Sequence, residues 1–373
     1  MEWGRRTAVE AVVDRLRGVA PPTRRRLLAA GAVVLALAVV LGLLLRGEDR
    51  SAAASGSVGV GPLPTAADGA GATGYGTPAT MAGLRKPDGL HFGVSTPGSP
   101  NEPETENVSA SAGRRPTVQE YFVNWDEEFS ADRVTSSYHL GAVPLLTWQP
   151  SAGKDQGDDQ PAYALRRIAS GAHDGYVRRF ADAVREVRQP VVIRFAHEMN
   201  ADWYPWAEQR SGNRQGDYVA AWRHVHDVFA SRGVTNVLWF WCPNIHRGTD
   251  KHELARYFPG DQYVDWIGMD GYSESEKRAD EVFDETYADL VSLSQKPIFI
   301  GETGVRPNVN KALWTVDFFR WIKAHPRVVG FSWFQHSDEE GGRYDWRFTT
   351  SPGSVKAFQD GLADQRLVPW PMR

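Results

Sequence analysis

The sequence predicts a closed (β/α)8 barrel of the TIM type, an α/β fold. Three observations predict it. Eight short apolar runs recur through the later part of the 373-residue chain. Amphipathic helical segments stand between most of them. The eight units occupy about 280 residues, close to the ~250 typical of such a barrel. Strand–helix alternation implies parallel strands, because only a crossover can return the chain to start a parallel neighbour. A doubly wound open sheet is the alternative. No Gly-x-Gly-x-x-Gly follows the first run, which weakens a dinucleotide-binding version of it.

The strands are expected at Leu90–Ser95, Tyr121–Trp125, Val143–Trp148, Val191–His197, Val237–Cys242, Val264–Met269, Ile298–Glu302 and Val329–Phe334. These runs are rich in β-branched and aromatic residues, which suit a pleated, buried surface. A helix is expected over Asp174–Val187, where Tyr176, Val177, Phe180, Val184 and Val187 recur at helical spacing. Asp217–Ser231, Asp280–Ser294 and Lys311–Ala324 behave similarly. The barrel domain is read over residues 88–370.

The chain begins differently. Leu27 to Leu45 is a run of 19 residues without a charge, long enough to span a bilayer as a helix. Arg24, Arg25 and Arg26 precede it, and the positive-inside rule then leaves residues 1–26 in the cytoplasm and the barrel outside. The expectation is a single-pass membrane protein with an extracytoplasmic domain. The rival reading is a secreted protein whose signal peptide is cut near Ala52-Ala53-Ala54; the long stretch before the apolar run argues against it. Residues 46–87 are mostly Gly, Ala, Ser, Thr and Pro, and read as a flexible linker.

The net charge is −4, and the first fifty residues hold nine Arg against five acids, so the remainder is the acidic part. An acidic domain argues against nucleic acid as a partner. The single cysteine, Cys242, excludes an intrachain disulfide and a cysteine zinc site. No cofactor or metal is expected. His197-Glu198 is not followed by the second His of a zinc helix, and Asp155–Asp159 reads as a solvated loop rather than a calcium site. Ser/His/Asp chemistry lacks its Gly-x-Ser-x-Gly elbow.

In a barrel of this kind the chemistry lies where strands end. The fourth predicted strand runs into His197-Glu198-Met199-Asn200 and the seventh into Gly301-Glu302-Thr303-Gly304. Each therefore ends in a glutamate. Alternation puts Arg194, Ala196 and Glu198 on one face, and Ile300 with Glu302 on one face. If both faces point inward, two carboxylates lean over one mouth, which is what glycosidic bond cleavage needs. Trp148, Trp203, Tyr204, Trp206, Trp241, Tyr272 and Trp333 stand at or just past strand ends, and are expected as an aromatic rim for sugar faces.

Arg194-Phe-Ala-His-Glu-Met-Asn200 with Trp203-Tyr-Pro-Trp206, Val264-Asp-Trp-Ile-Gly-Met-Asp-Gly-Tyr272 and Ile300-Gly-Glu-Thr-Gly304 resemble glycoside hydrolase family 26. The resemblance implies a retaining endo-β-glycanase with Glu198 as acid/base and Glu302 as nucleophile. It also implies that His197 contacts substrate, that Tyr272 hydrogen-bonds the nucleophile and that Trp333 lies under the sugar being cleaved. Asn200, Trp203, Trp206, Trp148, Trp241 and Arg194 complete the expected substrate-binding set. Two positions depart from the family pattern: Ala201 replaces a frequent Gly, and Gln149 stands where many mannan-cleaving members have His. β-1,4-Mannan is the leading expected substrate, with mixed-linkage β-glucan and β-1,3-xylan as alternatives. A polysaccharide is the expected partner and a monomer the expected state. A reading of another class is a membrane-tethered glycan-binding or polysaccharide-assembly protein without turnover.

Overall fold

Eight parallel strands pair in chain order and close on themselves. They are β1 (His91–Ser95), β2 (Val118–Asn124), β3 (Val143–Gln149), β4 (Val191–Phe195), β5 (Val237–Trp241), β6 (Trp266–Ser273), β7 (Ile298–Val305) and β8 (Val328–Phe334). Closure runs from His91 opposite Gly330 to Ser95 opposite Phe334. The computed structural model describes residues 79–153, 156–247 and 253–373.

Helix α1 (Met81–Arg85) precedes the barrel; α2 (Glu102–Ala112) and α3 (Ala131–His139) follow β1 and β2. A short α4 (Leu165–Ala169) and the longer α5 (Asp174–Val187) follow β3. The outer ring is completed by α6 (Asp217–Ser231), α7 (Ala279–Leu293), α8 (Lys311–Ala324) and α9 (Pro352–Ala363). Among the described residues, the β5–β6 connection holds only single helical turns at Leu254–Tyr257 and Asp261–Tyr263. Helix α5 shows why the periodicity was readable: Val177, Phe180, Ala181 and Val184 form its buried stripe.

Strand side chains divide into two layers. The outward layer is aromatic and packs under the helices. Trp148 stacks on Phe180 of α5 with ring centroids 4.3 Å apart. Trp333 lies edge-on to Phe358 of α9 at 5.1 Å. The inward layer near the carboxyl ends is polar instead. Glu120 of β2 accepts from Thr147 of β3 at 3.0 Å and from Ser332 of β8 at 2.5 Å, and pairs with Arg194 of β4 at 2.7 Å. A polar, hydrogen-bonded interior at this level is what allows chemistry at the mouth without an empty pore.

The amino-terminal face of the barrel is closed by chain segments from both sides of it. Leu84 of α1 is buried, its carbonyl accepts from Trp266 Nε1 at 2.8 Å, and Arg85 pairs with Asp265 at 2.7 Å. Ala79 N donates to Arg373 O at 2.6 Å, and Leu90 bridges to Leu367. Residues 79–86 fall within the stretch read as linker, yet they already pack on the barrel. The apolar segment Leu27–Leu45 and the rest of residues 1–78 lie outside the described residues. Among the described residues, no helix is long and apolar enough to cross a membrane.

Trp148→Ala removes an indole from this outer layer, where it is fully buried. Loss of such a side chain costs about 3–5 kcal/mol. Urea titration is expected to show that destabilisation; an unchanged midpoint would place Trp148 elsewhere.

Candidate active site

The fourth strand ends sooner than its sequence pattern suggests. β4 stops at Phe195, and both Ala196 (φ 46°) and Glu198 (φ 52°) adopt left-handed backbone. Side-chain alternation therefore ends with the strand, and Glu198 does not inherit its direction from Arg194. The turn is pinned on both sides: Ala196 N donates to Trp148 O at 3.0 Å and Glu198 N to Cys242 O at 2.8 Å. Such backbone costs roughly 1–3 kcal/mol per residue and persists where the surroundings over-determine it.

The seventh strand carries Glu302 through a different irregularity. Asp270 of β6 pairs with Glu302 and Met269 with Ile300, so Gly301 is an extra residue in the ladder. A bulge of this kind re-aims the next side chain. Gly301 cannot bear a side chain, because a Cβ there would stand inside contact distance of Asp270 Oδ1, Arg194 Nη1 and Cys242 Sγ.

These two devices give the glutamates unlike surroundings. Glu198 Oε2 accepts from Trp203 Nε1 at 2.7 Å, and its Oε1 accepts from Asn244 Nδ2. Asn244 is itself fixed: its N–H donates to Asn200 Oδ1 at 2.8 Å, its carbonyl accepts from Asn200 Nδ2 at 2.8 Å, and Arg247 Nε donates to its Oδ1 at 2.8 Å. Burial, and after it the charge of Glu302, raise the Glu198 pKa to about 7. Glu302 accepts from Tyr272 Oη at 2.5 Å through Oε2 and from Arg194 Nη2 through Oε1.

Arg194 is the centre of this arrangement. It is fully buried and contacts three carboxylates: Glu120 at 2.7 Å, Asp270 at 2.6 Å, and Glu302. Burial pushes the pKa of Glu120 up to about 7 against the pull of Arg194, and burial likewise holds Asp270 well above the usual carboxylate range. His197, Asp270 and Glu302 bring potential ligand atoms within 4.8 Å of one another. The guanidinium already donates to two of the three, so the positive charge a metal would bring is supplied by the protein.

Above Glu302 opens a cavity of about 710 Å³ that is also lined by Gln149, Tyr204, Phe334 and His336. A second cavity of about 270 Å³ shares Asn124, Gln149, Gly153 and Tyr204 with it and reaches Trp203 and Trp206. Together they make a groove along the mouth, of the size that small-molecule and oligomer sites occupy.

The structure sorts the expected site residues. Glu198, Glu302, Tyr272, His197 and Arg194 come together. His197 is buried, with Nε2 3.2 Å from Tyr204 Oη and 3.8 Å from Glu302 Oε1. Trp203 is 40% exposed and bonded to Glu198, so it does stand at the rim. Trp206 is buried instead; it stacks on Tyr204 at 4.4 Å and donates to His197 O at 2.7 Å, which fixes the turn where it borders the smaller cavity. Asn200 is buried and holds Asn244. Trp148, Trp241 and Trp333 are corrected. All three are fully buried and point outward, Trp241 against Phe258 at 5.2 Å; Thr147 and Ser332 take the inward positions beside Trp148 and Trp333. Phe334, one residue past Trp333, is the β8 aromatic that faces the groove.

Three participants escaped the sequence reading. Glu120 was excluded by starting the second strand at Tyr121; an acid inside an otherwise apolar run was the available signal. Asn244 was visible at a strand end but carried no pattern. Gly301 was read as an ordinary residue of the strand Ile298–Glu302, whereas a bulge requires it.

A closed (β/α)8 barrel with glutamates after its fourth strand and on its seventh belongs to the class of barrel glycoside hydrolases. Residues 158–325 match the model of glycosyl hydrolase family 26, and the chain belongs to that family. It is 30% identical over 291 residues to endoglucanase H of Acetivibrio thermocellus, covering 74% of this chain and 30% of that protein. It is 29% identical over 197 residues to a mannan endo-1,4-β-mannosidase of Bacillus subtilis, covering 49% of this chain and 48% of that one. The chain thus spans less than half the length of either relative. Among solved structures, the catalytic domain of a Bacillus sp. JAMB-750 endo-β-1,4-mannanase shares the fold, with TM-score 0.57 at 18% identity, covering 74% of this chain and 86% of that one.

Two outcomes test the site. In Gly301→Ala, displacement of Asp270 and Arg194 is expected to cut kcat/KM on the order of 10²-fold, with the circular dichroism spectrum retained; a near-parental rate would mean that the bulge does not set the geometry. In the native chain, Glu120 and Glu198 bind protons up to about pH 7, above the ordinary glutamate value of 4.5. The folded state then holds more protons than the unfolded one across that window, so stability falls as pH rises from about 4.5 to 7 and levels off above. Glu120→Gln is expected to flatten part of that decline in urea titrations; an unchanged slope would remove Glu120 as its source.

Proposed function

We propose that the barrel is a retaining endo-β-glycanase that cleaves β-1,4-mannan, held outside the cell by the apolar segment Leu27–Leu45. One observation carries the catalytic reading: two neighbouring buried glutamates accept hydrogen bonds from unlike donors, Glu198 from the neutral Trp203 and Asn244 and Glu302 from the Arg194 cation and Tyr272. Glu198, with its pKa raised to about 7, suits a proton donor at neutral pH. Glu302, aligned by Arg194 and Tyr272, suits a nucleophile. In the first step Glu302 bonds to the anomeric carbon while Glu198 gives its proton to the departing oxygen. In the second, Glu198 takes a proton from water, whose oxygen displaces Glu302.

Mixed-linkage β-glucan is the second reading, and two observations favour it. Gln149 lines both cavities at the position where the family resemblance leads one to expect a histidine. The relative named endoglucanase H aligns over more of this chain than the named mannosidase does. Reducing-end assays on mannan, mixed-linkage glucan and β-1,3-xylan decide between the substrates. No release from any of them would support a binding or assembly role instead.

Glu302→Ala is expected to abolish turnover on every substrate. Glu198→Ala is expected to retain activity on aryl glycosides with good leaving groups, and azide is expected to rescue it with retained configuration. Near-full activity of Glu302→Ala would overturn the assignment. Proton NMR of the first product is expected to show the β anomer; an initial α anomer would reject the double displacement. For the tether, protease added to intact cells is expected to release an active domain, and a mature N-terminus near residue 55 would show a cleaved signal instead.

A further inference from the structure

We propose that the amino-terminal face of the barrel docks on an anionic phospholipid surface and so turns the catalytic groove away from the membrane. The proposal builds on the tether reading, but it concerns a surface of the barrel itself and is tested without the tether.

Parallel topology gathers the loops that precede the eight strands on one face. Those loops carry Lys86 before β1, Arg114 before β2, Arg188 before β4 and Lys296 before β7. None of the four has an ion-pair partner among the described residues. Two acids of the same loops are neutralised, Asp88 by Arg366 and Asp265 by Arg85, while Asp261, bonded only to the Ser294 hydroxyl among the described residues, offsets one of the four cations. The face therefore keeps unneutralised positive charge on a domain that is acidic as a whole. An anionic leaflet attracts such cations, and the attraction decays within a Debye length, so only the face that lies flat on the surface gains from it.

Two further features fit a lipid surface better than a free anion. Trp370 on this face is 42% exposed, with Arg115 4.8 Å from its ring centroid and its Nε1 bonded to Leu140 O. An indole with a polar edge and an apolar body suits the headgroup region. Arg114, Arg115 and Trp370 also line a groove of about 640 Å³; Arg115 is paired there with Glu106, so Arg114 is the groove cation without an ion-pair partner among the described residues.

The direction of the chain agrees. Residue 79 joins the barrel on this face, beside Arg373. A tether arriving from residues 46–78 thus reaches the barrel at its basic end. The groove at the other end is lined by Asp126, Glu127, Glu302 and Glu340 and by no Lys or Arg, so the same leaflet repels it. Attraction at one end and repulsion at the other set one orientation, with the groove open to polymer.

The test uses residues 72–373, a compact unit whose barrel closes on itself and holds its own core. The fragment is sedimented with vesicles of phosphatidylcholine alone and with mixed phosphatidylcholine–phosphatidylglycerol vesicles. Binding is expected on the mixed vesicles only, and release is expected at high salt. Removing one interfacial cation is expected to weaken binding roughly fivefold. The triple variant Lys86→Glu, Arg114→Glu, Arg188→Glu is expected to lose binding while keeping the parental melting temperature and turnover of soluble substrate. Equal partition onto neutral vesicles, binding untouched by the triple variant, or retention by an anionic wall polymer with none by vesicles would each overturn the proposal. A cleaved N-terminus, which would end the tether reading, leaves these outcomes unaffected.

Discussion

One buried guanidinium organises the mouth of this barrel. Arg194 projects inward from β4 and is shared by Glu120 from β2, Asp270 from β6 and Glu302 from β7. Removing a charge from water costs several kcal/mol, and only close, well-bonded partners offset it. Three carboxylates around one cation exceed what it can neutralise. The excess is met by protons, as the raised pKa values of Glu120 and Asp270 show, and by hydroxyl donors from Thr147 and Ser332. The network spans strands from opposite sides of the barrel. It converts strand register into a fixed position for Glu302.

Around that centre, backbone irregularity does what regular strands cannot. A strand presents side chains at fixed alternation, and two carboxylates that must meet a bond from different directions need something else. Glu198 is set by a left-handed turn, then held by Trp203 and by Asn244, which Asn200 and Arg247 lock in place. Glu302 is set by the bulge at Gly301, where any side chain would collide with the arginine network. Local conformational cost is concentrated at the reacting groups, and the closed, aromatic-packed barrel supplies the stability that sustains it.

The barrel was legible because hydrophobic period and strand–helix alternation are properties of many residues at once. Helices over Asp174–Val187, Asp217–Ser231 and Lys311–Ala324 have the bounds their apolar spacing suggests. Glu198 and Glu302 were legible because each follows an apolar run. What could not be read was direction. Trp148 and Trp333 were assigned to the rim on position alone, yet each sits one residue away from the inward-facing Thr147 and Ser332, and parity sends it under the helices. Alternation was extended through Ala196 to Glu198, where positive φ ends it. Glu120 and Asn244 act through long-range contacts, which leave no local pattern.

The division of labour between the glutamates is tested most directly by trapping the intermediate. Incubation with an activated 2-deoxy-2-fluoro-β-glycoside slows the second step more than the first, and peptide mass spectrometry then locates the bound sugar. Stoichiometric labelling of Glu302 is the expected result. Labelling of Glu198 or Asp270 instead would contradict the assignment of the nucleophile to the arginine-held carboxylate.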